Sequence, residues 1–231
     1  MAWISRNGYL NQSEMENNAN IVISYFRSQG VNDVTIAAIL GNMQAESTIN
    51  PNLEEVGGQG YGLVQWTPVS VLQNHCSTLG ISPYTDGDVQ LQCLIPEITG
   101  NPASVREWYT SSNAISRYYN SGATSDMITI TGAAFLTNIM GWNADKLAVL
   151  FMAAYERPSY DPSINHYQLR QQYALEWANY IGLSTFTPRL DDTGMVGNFH
   201  YYSENPYYQS GYGLPNCTAF AWREIFWNQR P

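Results

Sequence analysis

Gly41-Asn42-Met43-Gln44-Ala45-Glu46-Ser47 follows an apolar run, Ile36-Ala37-Ala38-Ile39-Leu40, and carries it straight into an acid. At helical spacing Glu46 stands seven residues after Ile39 and three after Met43. That predicts a carboxyl on or beside the buried stripe of a helix rather than on its solvated face. Burial disfavours the charged form, so an acid placed there can hold a proton near neutral pH and give it to a leaving group, as a glycosidase requires. The competing reading is structural: a buried acid held in an ion pair, or one that marks a helix end.

The residues beyond the helix favour chemistry. Ser47-Thr48-Ile49-Asn50-Pro51 is a breaker cluster, and after it comes Gly57-Gly58-Gln59-Gly60-Tyr61-Gly62-Leu63-Val64-Gln65-Trp66-Thr67-Pro68. Glycines let backbone approach a ligand closely, and Gln65 with Trp66 offers a two-way amide beside an apolar platform, a pairing that suits sugars.

The helix ending in Glu46-Ser47, the run Gly62-Leu63-Val64-Gln65 and the later Ala154-Tyr155-Glu156-Arg157-Pro158 together resemble the phage tail lysozyme family, related to goose-type lysozymes and soluble lytic transglycosylases. The resemblance covers residues 8 to 183. It implies a muralytic domain that cuts between N-acetylmuramic acid and N-acetylglucosamine, with Glu46 as the catalytic acid. Ser47, Tyr61, Gln65, Trp66 and Tyr155 are then the candidate substrate-binding residues. The implied partners are bacterial peptidoglycan and other phage tail proteins, and the implied place is the virion, at the tail tip, with no cofactor and no metal.

Bulk properties set the limits. The 231 residues hold 19 acids against 10 bases, for a formal net charge of -9. Without a basic run, nucleic acid is not an expected partner. The longest apolar stretches, Ile36 to Leu40 and Leu147 to Ala154, are too short to span a bilayer. The first residues lack the layout of a secretory signal, which predicts synthesis in a host cytoplasm. Cys76, Cys93 and Cys217 form no even framework, and Cys76 and Cys93 are expected as free, buried thiols. His75, His166 and His200 show no metal-ligand spacing.

The expected fold is α+β and mainly α, a lysozyme-like helical domain with a small β element over residues 50 to 67. Helices are predicted over 14–28, from a cap at Asn32 through Glu46, and over 69–79, 86–98, 103–119, 125–139, 144–156 and 163–181. The domain is expected to span 1–183, with a linker at 184–197 and a second unit beginning at 198–231. In that last stretch Gly213-Leu214-Pro215-Asn216-Cys217-Thr218 places a thiol at a helix start, where the helix dipole favours the thiolate. It resembles the opening of CHAP domains, the cysteine- and histidine-dependent amidohydrolase/peptidases, and makes Cys217 a candidate nucleophile. No His follows His200, so a peptidase site without its base is expected to be inert.

Two carboxylates flank the scissile bond in hydrolysing lysozymes. No acid occurs between Glu55 and Asp86, leaving Glu54 and Glu55 as the nearest partners for Glu46. A site with one acid is compatible with lytic transglycosylation or with hydrolysis by water held on neutral groups such as Gln65. A non-catalytic wall-binding or tail structural module, and an endolysin acting at lysis, are the alternatives from sequence.

Overall fold

The computed structural model describes residues 2–183. The expected linker at 184–197, the expected second unit at 198–231 and Cys217 lie outside the described residues. Among the described residues there are eight α-helices: α1 (Gln12–Ser28), α2 (Asp33–Ser47), α3 (Ser70–Leu79), α4 (Gly87–Thr99), α5 (Ser112–Ser116), α6 (Gly132–Thr137), α7 (Ala144–Phe151) and α8 (Tyr167–Ile181). Short 3-10 turns intervene, and a π-helical turn, Met152–Glu156, continues α7. The expected mainly helical fold is what the chain adopts. The small β element reduces, among the described residues, to two antiparallel bridges, Glu54 with Tyr61 and Tyr61 with Trp66.

α2 is the axis of the domain. Every residue from Thr35 to Met43 is buried, so the helix is apolar on all sides and needs neighbours all round. α8, α7, α1 and α6 supply them. Its start is fixed by Asn32, whose side chain accepts from the Val34 amide at 2.9 Å. Gly41 marks the closest approach to α8: a Cβ there would stand 2.6 Å from the Ala174 nitrogen and 2.8 Å from the Arg170 carbonyl oxygen, backbone atoms that cannot swing away. At the C-terminus Thr48 and Ile49 both adopt left-handed backbone, with φ of 54° and 56°, and turn the chain sharply into the loop. β-branched residues tolerate that region poorly, so the surrounding contacts must enforce it.

Two expected helices do not form as drawn. Within 103–119 the helical part is Ser112–Ser116, and residues 106–110 run without helix between other elements. The Glu107 amide donates to Glu97 O at 2.9 Å and the Tyr109 amide to Ala154 O at 2.9 Å, so tertiary partners take the groups a helix would have used. Within 125–139 the helix is confined to Gly132–Thr137. Ile130 O is claimed by Trp108 Nε1 at 2.8 Å and by Thr110 Oγ1 at 3.0 Å, which holds the preceding residues out of the helix.

Cys76 and Cys93 are free thiols, buried, with their sulfurs 3.4 Å apart. Burial pushes both thiols up from their ordinary values and keeps them protonated. No helix among the described residues is long and apolar enough to cross a membrane.

Candidate active site

The last turn of α2 emerges from the core into a cleft of about 390 Å³ lined by Glu46, Glu55, Val64, Gln65, Glu156 and Arg157. Glu46 stands beside the buried face of α2 rather than within it. Its side chain is 19 % exposed and its Oε1 accepts from Arg170 Nη2 at 2.5 Å. Because α2 is buried on every side, no single stripe exists for the acid to join. The group that reaches the carboxyl is a buried cation of the neighbouring helix.

That cation is fully engaged. Arg170, 4 % exposed at its side chain, donates from Nη1 to Asn42 Oδ1 at 3.0 Å and from Nε to Asn165 O at 3.0 Å. Asn42 stands four residues before Glu46 on the same helix face and is itself fixed by donating to Ala38 O and Ala148 O. The stretch from Gly41 to Glu46 therefore has a division of labour. Gly41 admits α8, Asn42 orients the guanidinium, and Glu46 balances its charge at the cleft.

A second carboxyl enters through the π-helical turn. The Arg157 amide bonds back to Met152 O at 2.8 Å, five residues behind, and Arg157 itself is left-handed at φ 51°. This extra residue in the turn directs Glu156 into the cleft. Glu156 Oε1 is buried and has no hydrogen-bond partner among the described residues. Burial pushes the Glu156 carboxyl well above the usual range; the negative charge of Glu46 adds to the rise, and Arg170 and Arg157 oppose it. Of the cleft carboxyls, Glu156 is thus the one that desolvation pushes toward its neutral form.

Of the sequence candidates, Gln65 faces the cleft. Its backbone is left-handed at φ 51° and its amide donates to Leu53 O and Gly62 O, both at 3.0 Å, which leaves its carbonyl oxygen free for the cleft. Gly62, at φ 80°, lies against the Gln90 side chain, where a Cβ would come within 2.5 Å of Gln90 Oε1. Gln90 in turn binds the loop through Leu63 N at 3.0 Å and Pro51 O at 2.7 Å.

Trp66 and Tyr155 line an adjoining pocket of about 130 Å³ together with Gln65 and Glu156. Both are nearly buried, and their polar ends turn inward. Trp66 Nε1 donates to Glu97 Oε1 at 3.0 Å, the Tyr155 hydroxyl donates to Glu97 Oε2, and His75 Nδ1 lies 2.6 Å from Glu97 Oε1. Trp66 is therefore not an open platform for sugar but part of the floor, tied to a buried acid that local pattern did not reveal. Burial pushes the Glu97 carboxyl up against the pull of its three partners, while the bond to Glu97 raises His75. Trp66→Phe should cost about 1–3 kcal/mol in urea unfolding, the usual loss for a buried hydrogen bond to an acid, with wall binding unchanged. Weakened binding at full stability would return Trp66 to the substrate surface.

Ser47 and Tyr61 fall outside the cleft. Ser47 is buried, and its Oγ donates to Leu63 O at 2.9 Å while accepting from the Asn50 amide at 3.2 Å, so it clips the helix end to the loop. Tyr61 is buried, with its hydroxyl 2.5 Å from Asn52 Oδ1 and its ring edge-on to Tyr84. Glu54 accepts from Asn7 and does not line the cleft, whereas Glu55 does. Glu55 is exposed, its Oε2 accepting from the Gln59 and Gly60 amides at 3.0 Å each.

The chain is similar to a known phage protein. Over 160 residues it is 32% identical to Morphogenesis protein 1 of Bacillus phage B103, a match that takes in 67% of this chain and 38% of that protein. The chain thus spans under two fifths of that relative's length. Residues 17–181 match the family described as phage tail lysozyme. From within the first helix to the last residue of the eighth, this chain belongs to the phage tail lysozyme family.

Proposed function

We propose that this chain is a phage peptidoglycan-degrading enzyme that cuts the glycan strand between N-acetylmuramic acid and N-acetylglucosamine, with Glu46 delivering the proton to the bridging oxygen. The observation that carries this reading is the cleft at the end of α2, where Glu46, Glu55, Glu156 and Gln65 converge. Family membership supports peptidoglycan as the substrate class. Breaking the glycosidic bond requires protonation of the leaving oxygen while positive charge develops at the sugar carbon. A cleft with several carboxyls favours both events, and Gln65 offers its free carbonyl oxygen to a water or a sugar hydroxyl. The family and the phage relative also support a virion association, and the proposal places the chain at the tail tip, with tail proteins as partners and local wall penetration as the task.

Muropeptides released from purified walls, analysed by mass spectrometry, test the reading directly. Reducing ends indicate hydrolysis, anhydro-muramic ends, lighter by one water, indicate lytic transglycosylation, and release of neither overturns the enzyme. Under hydrolysis, Glu55→Gln should slow release if Glu55 positions water, since Glu55 alone of the two loop acids faces the cleft. Detection in purified virions tests the tail assignment. For the 198–231 segment, we propose the CHAP-like reading with Cys217 as its nucleophile. Cys217→Ala should leave glycan cleavage unchanged, and a fall in muropeptide release would show that the two functions are not separate.

A further inference from the structure

Glu156 is a carboxyl for which the described residues of the cleft provide no bonded cation. Of the two nearest guanidiniums, Arg170 has each of its three nitrogens bonded elsewhere, to Asn165, Asn42 and Glu46. Arg157 gives Nη2 to Glu107 Oε2 at 2.6 Å and Nη1 to the carbonyls of Glu107 and Ala154. With Oε1 buried and unbonded, an ionised Glu156 would leave one of its two oxygens without water or a donor, which favours the neutral acid. Glu46 has the opposite surroundings, since a buried guanidinium needs its counter-charge.

We propose that Glu46 and Glu156 work as one acid with a single proton, carried by Glu156 at rest while Glu46 is paired with Arg170. This rests on the proposed glycan cleavage at Glu46 and makes Glu156 a positioning residue that acts through it. In the reaction the O–H bond of Glu156 breaks, the proton moves to Glu46, and Glu46 passes it to the bridging oxygen. The bond from that oxygen to the muramoyl C1 breaks, with its electron pair staying on the oxygen. Water or the muramoyl C6 hydroxyl then adds to C1, and the proton it sheds returns to the pair. The same pair therefore serves either outcome, which explains how a cleft can work without a lysozyme-type aspartate on its loop. The charged groups facing Glu156 are Glu46 on α2, Arg170 on α8, Glu97 on α4, its neighbour Arg157, and Glu55 and Glu107 along the cleft and its adjoining pocket.

Glu156→Gln keeps the shape and removes the proton carrier. Its alkaline limb of wall clearing should move to lower pH by about one unit, a roughly tenfold loss at neutral pH that acidification restores. Stability should move the other way. A carboxyl whose pKa is raised in the folded state stabilises fully below its unfolded value, about 4.3, and loses that contribution as pH rises through the folded value. Glu156→Gln removes this loss, so its Tm should exceed that of wild type at neutral pH and the difference should shrink near pH 4. Glu156→Asp should retain part of the wild-type pH profile.

If Glu46→Gln clears walls normally, the assigned chemistry fails whatever Glu156 does. If Glu46→Gln is inactive and the Glu156→Gln profile superimposes on wild type, the cleavage reading stands and the shared proton is refuted. A Tm for Glu156→Gln below wild type across the pH range would likewise refute it, because a side chain that merely packs or hydrogen-bonds loses stability on substitution.

Discussion

Glu46→Gln should lower glycan cleavage by about 10²–10⁴-fold, the contribution of a positioned general acid, with helical content unchanged. The substitution keeps the side-chain outline, and its amide oxygen can still accept from Arg170 Nη2 in place of Oε1. The losses are the proton-carrying oxygen and the negative charge beside a buried cation. Glu156 lines the same cleft and feels the charge of Arg170, but it is not bonded to it and does not replace Glu46 in the chemistry. Clearing of purified walls, followed by turbidity, measures the first effect, and circular dichroism measures the second. A wall-binding module without chemistry would predict that wild type and variant bind walls equally and that neither releases muropeptides. Near wild-type clearing by the variant would remove Glu46 from the mechanism altogether.

The parts of this site visible in sequence are those with a local signature. The Asn32 cap, the apolar run of α2 and the breaker cluster after Ser47 place Glu46 at a helix end above a glycine-rich loop. Gln65 follows from the same loop. Trp66 and Tyr155 are placed near the cleft by resemblance, but their inward-turned polar ends depend on Glu97, 31 and 58 residues away along the chain. No periodicity encodes a partner at that separation. Glu97 follows Pro96 within a helix and has the outward look of a solvated acid, yet it is wholly buried. The run 103–119 misleads for a related reason: Trp108 is buried with its indole nitrogen on Ile130 O, and that distant carbonyl outweighs local helical preference.

Arg170 leaves a usable trace. It shares its face of α8 with Ala174, Trp177 and Ala178, all buried, so a cation occupies the first position of an apolar stripe. Such a residue requires a buried acceptor, and Glu46 on α2 is the acid that meets it. The sequence thus holds both halves of the ion pair, 124 residues apart, each unusual for its helix, and the close approach at Gly41 joins them.

Arg170→Met should cost about 3–5 kcal/mol in urea unfolding, the scale seen when one partner of a buried ion pair is removed. Methionine fills most of the volume, so the loss reflects the groups left behind rather than a cavity. Glu46 keeps a charge without its counter-charge, Asn42 Oδ1 loses its donor, and Asn165 O loses the Nε bond. Arg170→Lys should rescue little, because one ammonium cannot meet three acceptors spread over α2 and the turn before α8. Combined with Glu46→Gln the penalty should be smaller than the sum of the two single changes, since the stranded carboxylate is then gone. That shortfall, about 0.5–3 kcal/mol for residues in direct contact, measures the coupling between them. Strict additivity of the two changes, or a single-variant loss under about 1 kcal/mol, would mean that Arg170 does not hold Glu46 in solution. The proposed catalytic carboxyl would then have to be positioned by the loop that carries Gln65 alone.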